Sequence, residues 1–348
     1  MEHLDIELRI EERVRQGLRG QWYAVAKSVQ VRPGRALGVT ALGEQLVLWR
    51  DDSGKLHCLQ DSCPHRGAPL SRGEVMEGRI ACRYHGIIVD GDGTIVRVPA
   101  MPDCPLEGRR VVKSYSVKEM SDGVFVYFPS ADQPEAPPLV LPEEVTSPNW
   151  AAFLCSSPWH CNYQYIGDNI ADPMHGCYLH ADTFTLAYGA KQDLMRIDKA
   201  DVGFIIRRVA QMGENFDWAH VVPENSVFYF RVEVPYPKAG GPGGPLRILG
   251  CITPVDEDTS RIFFWRCRQV SGLDRECWRF LFRTFIEERH WEVIEQDRKM
   301  LEAMPNNARK GEMLYQHDLG VVRLRRFLMG RAREQIEFED AAAQKMVS

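Results

Sequence analysis

The chain has 348 residues, 44% of them hydrophobic and 26% charged, and a formal net charge of −5. That length suits two ordinary domains, and the acidic balance provides no basic footprint for a nucleic-acid partner. No apolar run approaches the length of a membrane span, the start Met1-Glu2-His3-Leu4-Asp5 lacks a signal pattern, and the ten scattered cysteines read as free thiols, so a cytoplasmic location is expected.

In chain order, residues 5–18 mix charge with Leu8, Ile10, Val14 and Leu18 and read as an amphipathic helix inside an N-terminal segment 1–20. Residues 36–41 and 45–49 read as strands, Asp51-Asp52-Ser53-Gly54 as a hairpin turn, and 55–60 as the returning strand. Next comes Cys63-Pro64-His65-Arg66-Gly67, answered by Cys82-Arg83-Tyr84-His85-Gly86, with sixteen residues between the two Cys–His pairs. Two thiolates and two imidazoles suit one zinc ion. They suit equally a two-iron cluster with the thiolates on one iron and the imidazoles on the other. Residues 87–89, 94–98, 111–117 and 123–128 supply the further strands of an all-β domain over 21–130.

Pro134, Pro137, Pro138, Pro142 and Pro148 mark 131–150 as an extended linker. The remainder, 151–348, carries strand patterns at 204–209, 227–234, 246–251 and 261–267, interrupted by a mobile glycine-rich loop at 240–244. A helical pattern over 275–304 is stopped by Pro305. The charged helical tail over 321–338 is expected to pack on the outside or against a partner chain. Strands and helices segregated in this way place the chain in class α+β.

Within 169–180 stand two histidines, His175 and His180, five residues apart, with Asp172 three before the first. They look like two arms of a 2-His-1-carboxylate site for non-haem Fe(II). On an ideal helix such residues diverge by roughly 140°. Both reach one ion only if the helix is distorted or ends between them, which Pro173 and Gly176 allow. Candidates for the carboxylate are Glu292, Glu295, Asp297 and Glu302. Asp297 shares a stripe with Val293, Met300 and Met304, whereas Glu295 and Glu302 face away from it. An aspartate on an apolar face is costly unless it is paired or bound to metal, so Asp297 is the expected third ligand.

The spacing of the first site, with its flanks Arg66-Gly67-Ala68-Pro69-Leu70 and Tyr84-His85-Gly86, resembles the Rieske [2Fe–2S] motif. Ala68 and Tyr84 occupy the places where respiratory Rieske proteins carry a further cysteine pair, so the resemblance is to the oxygenase and ferredoxin type. Ile87 stands where the family commonly has tryptophan. Asn169-x-x-Asp172-x-x-His175-x4-His180 and Gln296-Asp297-Arg298 are similar to the iron-binding segments of Rieske non-haem iron oxygenases, catalytic α subunit. The resemblance implies a Rieske domain followed by an antiparallel-sheet, helix-grip catalytic domain. It implies a [2Fe–2S] cluster on Cys63, His65, Cys82 and His85, and mononuclear Fe(II) on His175, His180 and Asp297. Asn169 and Asp172 then belong to the catalytic site, in a homotrimer where His85 of one subunit meets Asp172 of the next and Asp172 holds His175.

The same resemblance implies an NAD(P)H-dependent reductase, or a reductase with a ferredoxin, as electron source. The implied reaction is hydroxylation or oxidative demethylation of a small aromatic substrate by O2. Ring cis-dihydroxylation, or electron carriage without oxygenase chemistry, are the competing expectations. Pocket lining is expected from 204–208, 227–234, 246–251 and 282–293, with Arg207, Arg208 and Arg247 as candidate carboxylate anchors.

Overall fold

The computed structural model describes residues 2–183, 186–223, 226–236 and 241–347; Gly240 of the expected glycine-rich loop lies outside them. Helix α1 (Glu2–Gln16) precedes ten short strands: β1 (Gln21–Lys27), β2 (Leu37–Ala41), β3 (Glu44–Arg50), β4 (Leu56–Gln60), β5 (Glu74–Met76), β6 (Arg79–Ala81), β7 (Ile88–Val89), β8 (Ile95–Arg97), β9 (Val117–Met120) and β10 (Gly123–Phe128). They form three antiparallel sheets, ordered β1-β10-β9, β2-β3-β4 and β5-β6-β7-β8. The strand expected over 111–117 begins only at Val117. The stretch before it crosses between sheets: Val111 and Val112 donate to the Gly93 carbonyl at one end, and Tyr115 donates to Cys58 at the other. Its hydrogen bonds are divided, so no single ladder forms.

Residues 131–150 contain no strand and one short helix, α2 (Glu143–Thr146), and are anchored by the buried Leu139, Leu141 and Trp150. Then follow β11 (Ala151–Trp159), α3 (Tyr163–Ile170), α4 (Gly176–Leu179), β12 (Met195–Lys199), β13 (Phe204–Arg208), β14 (Trp218–Val222), β15 (Tyr229–Val234), β16 (Leu246–Pro254) and β17 (Ser260–Arg268). The seven strands make one antiparallel sheet, β11-β17-β16-β15-β14-β13-β12. After it, α5 (Gly272–Leu281), a π-helical turn at Phe282–Ile286 and α6 (Glu287–Glu302) run on without a break, ahead of α7 (Leu319–Val347).

Side chains alternate across a strand, and β17 uses both faces. Phe263, Trp265 and Cys267 enter a core shared with Trp22, Ala24, Phe125 and Tyr127 of the first domain. Ile262 and Phe264 face the other way, against Leu301, Trp291 and Ile294 of α6. Each large apolar side chain fully buried in these layers contributes roughly 1.5–3 kcal/mol. Hydrogen bonds reinforce the domain contact: Thr253 Oγ1 donates to the Ala24 carbonyl at 2.6 Å and Trp265 Nε1 to that of Ser121 at 2.8 Å.

The tail departs from expectation. Val321, Leu324, Leu328, Ala332 and Ile336 recur at helical spacing and pack with Ile10, Val14 and Leu18 of the first helix region and with Phe204 and Ile206 of β13. The charged residues between them mask an apolar stripe, so α7 belongs to the core of its own chain. No helix among the described residues is long and apolar enough to cross a membrane.

Gly320 opens α7 against the end of α3. A Cβ there would press on the Ala171 carbonyl oxygen and the Ile206 side chain. In an exposed helix, Gly→Ala gains about 1 kcal/mol. Gly320→Ala is expected to reverse that sign and cost about 1–3 kcal/mol through overpacking, read as a lower thermal-melt midpoint.

Candidate metal centres

The two Cys–His loops repeat one backbone design. Cys63 N–H donates to the Ala68 carbonyl and Gly67 N–H to that of Cys63; Cys82 N–H donates to Ile87 and Gly86 N–H to Cys82, all at 2.8–2.9 Å. Each loop closes on a glycine in the left-handed region, Gly67 at φ 73° and Gly86 at φ 75°. Cys63 and Cys82 are buried, whereas His65 and His85 are exposed. The His65 and His85 Nδ1 atoms face each other at 3.2 Å, leaving both Nε2 atoms on the far edges of the rings. Burial pushes the Cys63 thiol up to about 11, so a thiolate there calls for a cation beside it.

A single tetrahedral zinc would draw its donor atoms to within roughly 4 Å of one another. Among the described residues, the group of three or more donors within 4.8 Å is His175, His180 and Asp297, and the Cys–His loops are not gathered in that way. An inner thiol pair and an outer imidazole pair fit a two-iron cluster. Ile87 is buried in the core beneath the loops, and Tyr84 packs on His85 with ring centroids 4.1 Å apart.

In the second domain, α3 ends at Ala171. Asp172 leaves helical geometry at φ −120°, ψ 89°, and Pro173 starts a 3-10 turn, Pro173–His175, which passes into the short α4. His180 lies just past the end of α4. The change from 3-10 to α geometry at His175 and the end of α4 before His180 leave no regular helix between the two imidazoles, which converge despite their spacing. Asp297 comes from α6 and is buried, as expected, but the buried face of that helix is His290, Val293, Ile294, Asp297 and Leu301; Met300 and Met304 are exposed. Glu295 and Glu302 both pair with Arg298.

Asp297 Oδ1 stands 3.5 Å from His175 Nε2 and 3.3 Å from His180 Nε2. The opposite ring nitrogens are committed: His175 Nδ1 to the Asp172 carbonyl oxygen at 2.5 Å, and His180 Nδ1 to Gln296 Oε1 at 2.8 Å. Oxygen acceptors hold the proton on Nδ1, so both Nε2 lone pairs point at the shared spot. Burial alone would lower the His180 pKa, but the hydrogen bond and charge of Asp297 outweigh it and raise it. Asn169 Nδ2 donates to Asp297 Oδ1 at 3.2 Å. Two imidazoles, one carboxylate and an adjoining cavity fit a mononuclear iron.

Asp172 differs in detail from the expectation. Its backbone carbonyl, not its carboxylate, holds His175, while its Oδ1 accepts the Met174 N–H at 2.9 Å. Gln296 was not assigned a role by sequence reasoning, although it adjoins Asp297. A cavity of about 130 Å³ borders Asn169, His175, His180 and Asp297 and is otherwise mostly apolar. Strands β15 and β16 line it as expected, together with His290 and Val293; β13 does not, and β17 does. Arg207 pairs with Asp198, Arg208 with Asp193 and Asp217, and Arg247 with Glu144 and Glu233, so none of the three is the pocket's cation.

With one site suited to carrying electrons and one open mononuclear site in a single chain, fold and geometry define a Rieske-type protein with two iron centres. Residues 21–116 match the Rieske [2Fe-2S] domain, and residues 159–334 match the vanillate O-demethylase oxygenase C-terminal domain. The chain belongs to the Rieske non-haem iron oxygenase family, and its cofactors are a [2Fe–2S] cluster and a mononuclear iron. It is 32% identical over 164 residues to the vanillate O-demethylase oxygenase subunit of a Pseudomonas species, covering 47% of this chain and 45% of that protein. With the oxygenase component of 3-ketosteroid-9-alpha-monooxygenase from Mycobacterium tuberculosis it shares 26% identity over 284 residues, covering 76% and 70%. The chain spans less than half the length of the first curated relatives it matches. The oxygenase in a solved carbazole 1,9a-dioxygenase oxygenase–ferredoxin complex shares the fold, with a TM-score of 0.74 at 22% identity, over 92% of this chain and 90% of that one.

Gln296→Leu removes the acceptor that orients His180. It is expected to weaken iron binding about 10- to 100-fold, measured by chelator competition, while the visible absorbance of the cluster is unchanged.

Proposed function

We propose that this chain is a terminal oxygenase component that uses electrons and dioxygen to hydroxylate or oxidatively demethylate a small aromatic substrate. One observation carries the reading: His175, His180 and Asp297 border an apolar cavity. A pure electron carrier has no use for such a space. When bound, the iron supplies dioxygen activation and the cluster supplies the electrons. The balance is one C–H bond, O2, two electrons and two protons giving C–OH and water. At a methyl ether the same change gives a hemiacetal, which releases formaldehyde. The match to the vanillate O-demethylase domain favours this over ring dihydroxylation.

On this reading His175, His180 and Asp297 are the ligands. Gln296 and the Asp172 carbonyl fix the imidazole tautomers, and Asn169 holds one Asp297 oxygen in place. The apolar walls orient the substrate and keep bulk water from it. Cys63, Cys82, His65 and His85 hold the cluster in the functional unit 21–130, and 151–348 is the catalytic unit. An NAD(P)H-dependent reductase, directly or through a ferredoxin, charges the cluster. The free cysteines agree with a reducing, cytosolic setting.

The partner copy completes the route. Asp172 lines a cleft with the exposed Met300, Met304, Leu314 and Tyr178. That apolar rim suits burial against a second subunit, and it supports a homotrimer in which His85 of one chain reaches Asp172 of the next. Asp172→Asn keeps the Met174 cap and the backbone contact to His175. It is expected to retain both metals and lose turnover; metal loss, or near-normal product formation, would count against the bridge. His180→Ala is expected to abolish substrate-dependent oxygen uptake with reductase and NADH while the cluster still reduces chemically; undiminished uptake sinks the oxygenase reading. Met304→Glu is expected to shift the sedimenting species from trimer to monomer.

A further inference from the structure

The cavity wall formed by β17 carries a cation with no counter-charge. Arg266 alternates with Trp265 and Cys267, which face the first domain, and so shares the inner face with Ile262 and Phe264. Its side chain is fully buried. The guanidinium lies over the rings of Phe264 at 4.9 Å, Trp291 at 5.0 Å and Phe282 at 5.7 Å. Neither Nη1 nor Nη2 has a hydrogen-bond partner, and among the described residues no carboxylate pairs with it; Glu287 acts only at longer range. Arg208, equally buried, is bracketed by Asp193 and Asp217. A buried cation left open in this way is costly unless something else completes it.

His290, also on the cavity wall, adds a second open atom. Its Nε2 meets the Tyr236 hydroxyl at 2.9 Å, while Nδ1 has no partner. Burial and the neighbouring Arg266 charge lower its pKa to about 3, so the ring is neutral near pH 7. His290 and Asp297 lie on one face of α6, two turns or roughly 10 Å apart along the axis. The cavity, about 130 Å³, is on the scale of the roughly 150 Å³ space that admits benzene.

We propose that the Arg266 Nη donors, together with His290 Nδ1–H in the tautomer whose Nε2 accepts the Tyr236 hydroxyl, form a buried anion receptor that selects a single-ring aromatic carboxylate and fixes which of its carbons faces the iron site. The planar fork of a guanidinium matches both carboxylate oxygens. A neutral ring of the same shape leaves the cation unpaired and is rejected. The inference rests on the oxygenase reading, whose substrate class it names.

The test is calorimetric titration of the oxidised holoprotein, without reductant, with benzoate and with the near-isosteric benzamide. Benzoate is expected to bind about 10- to 100-fold more tightly. Arg266→Met should abolish that preference, and Arg266→Lys, which keeps the charge, should retain part of it. Equal binding of acid and amide by the native protein overturns the proposal whether or not the variants fold. A preference that survives in Arg266→Met also overturns it, and places the anion on the metal. NADH-driven oxygen uptake separates the two readings. Anion preference without uptake defeats the oxygenase assignment and leaves the receptor, whereas uptake with neutral rings and no preference defeats the receptor alone.

Discussion

The candidate iron site depends on keeping one carboxylate buried between two imidazoles. Asp297 is 7% exposed on a helix whose neighbouring buried side chains are mainly apolar, a position that is costly for an unpaired charge. Asn169 donates to that carboxylate, and a cation shared with the two facing imidazoles would offset the rest of the cost, an arrangement that holds only while α6 is kept at the right height and rotation. The grip is mechanical: Trp291, Ile294 and Leu301 are seated against Ile262 and Phe264 of the large sheet. Sheet packing thus sets where Asp297 stands relative to the two imidazoles.

The other half of the site depends on a failure of regular structure. A continuous helix through 169–180 would turn the two imidazoles apart; instead His175 closes a 3-10 turn and His180 lies past the end of α4, so no regular helix carries both. Asp172 serves twice there, its carboxylate capping the new turn and its carbonyl holding His175. Gly320 permits α7 to lie directly against the end of α3, so the C-terminal helix buttresses this break from behind.

What could be read from residue order follows from how local each signal is. The Cys–His loops were legible because four residue types and two glycines sit within a few positions of one another. The histidine pair was legible because Pro173 and Gly176, on either side of His175, mark a departure from regular helix. Asp297 was found on a stripe that included Met300 and Met304, which are in fact exposed; the spacing from Val293 was sound and the rest of the stripe was not. Arg266 was missed because an arginine in a strand ordinarily has a solvent side. The available signal was that 261–268 is rich in large apolar residues at both odd and even positions, so the strand has no wet face to receive a charge. The pairing of α1 with α7, and the role of Gln296, are tertiary facts with no local mark.

The core that joins the two domains bears on how such a chain can be altered. Trp22, Ala24, Phe125 and Tyr127 interdigitate with Leu249, Cys251, Phe263 and Trp265, and residues of the connecting segment fill the same layer. Cutting the chain near residue 150 would bare a broad apolar face on each fragment. The smallest interchangeable part is therefore the pair of domains, and chimaeras that graft a foreign cluster domain onto this catalytic half must carry a matching face with it. The cavity can instead be altered from inside at Phe230, Val232, Ile248 and Ile262, which border it and lie outside that seam.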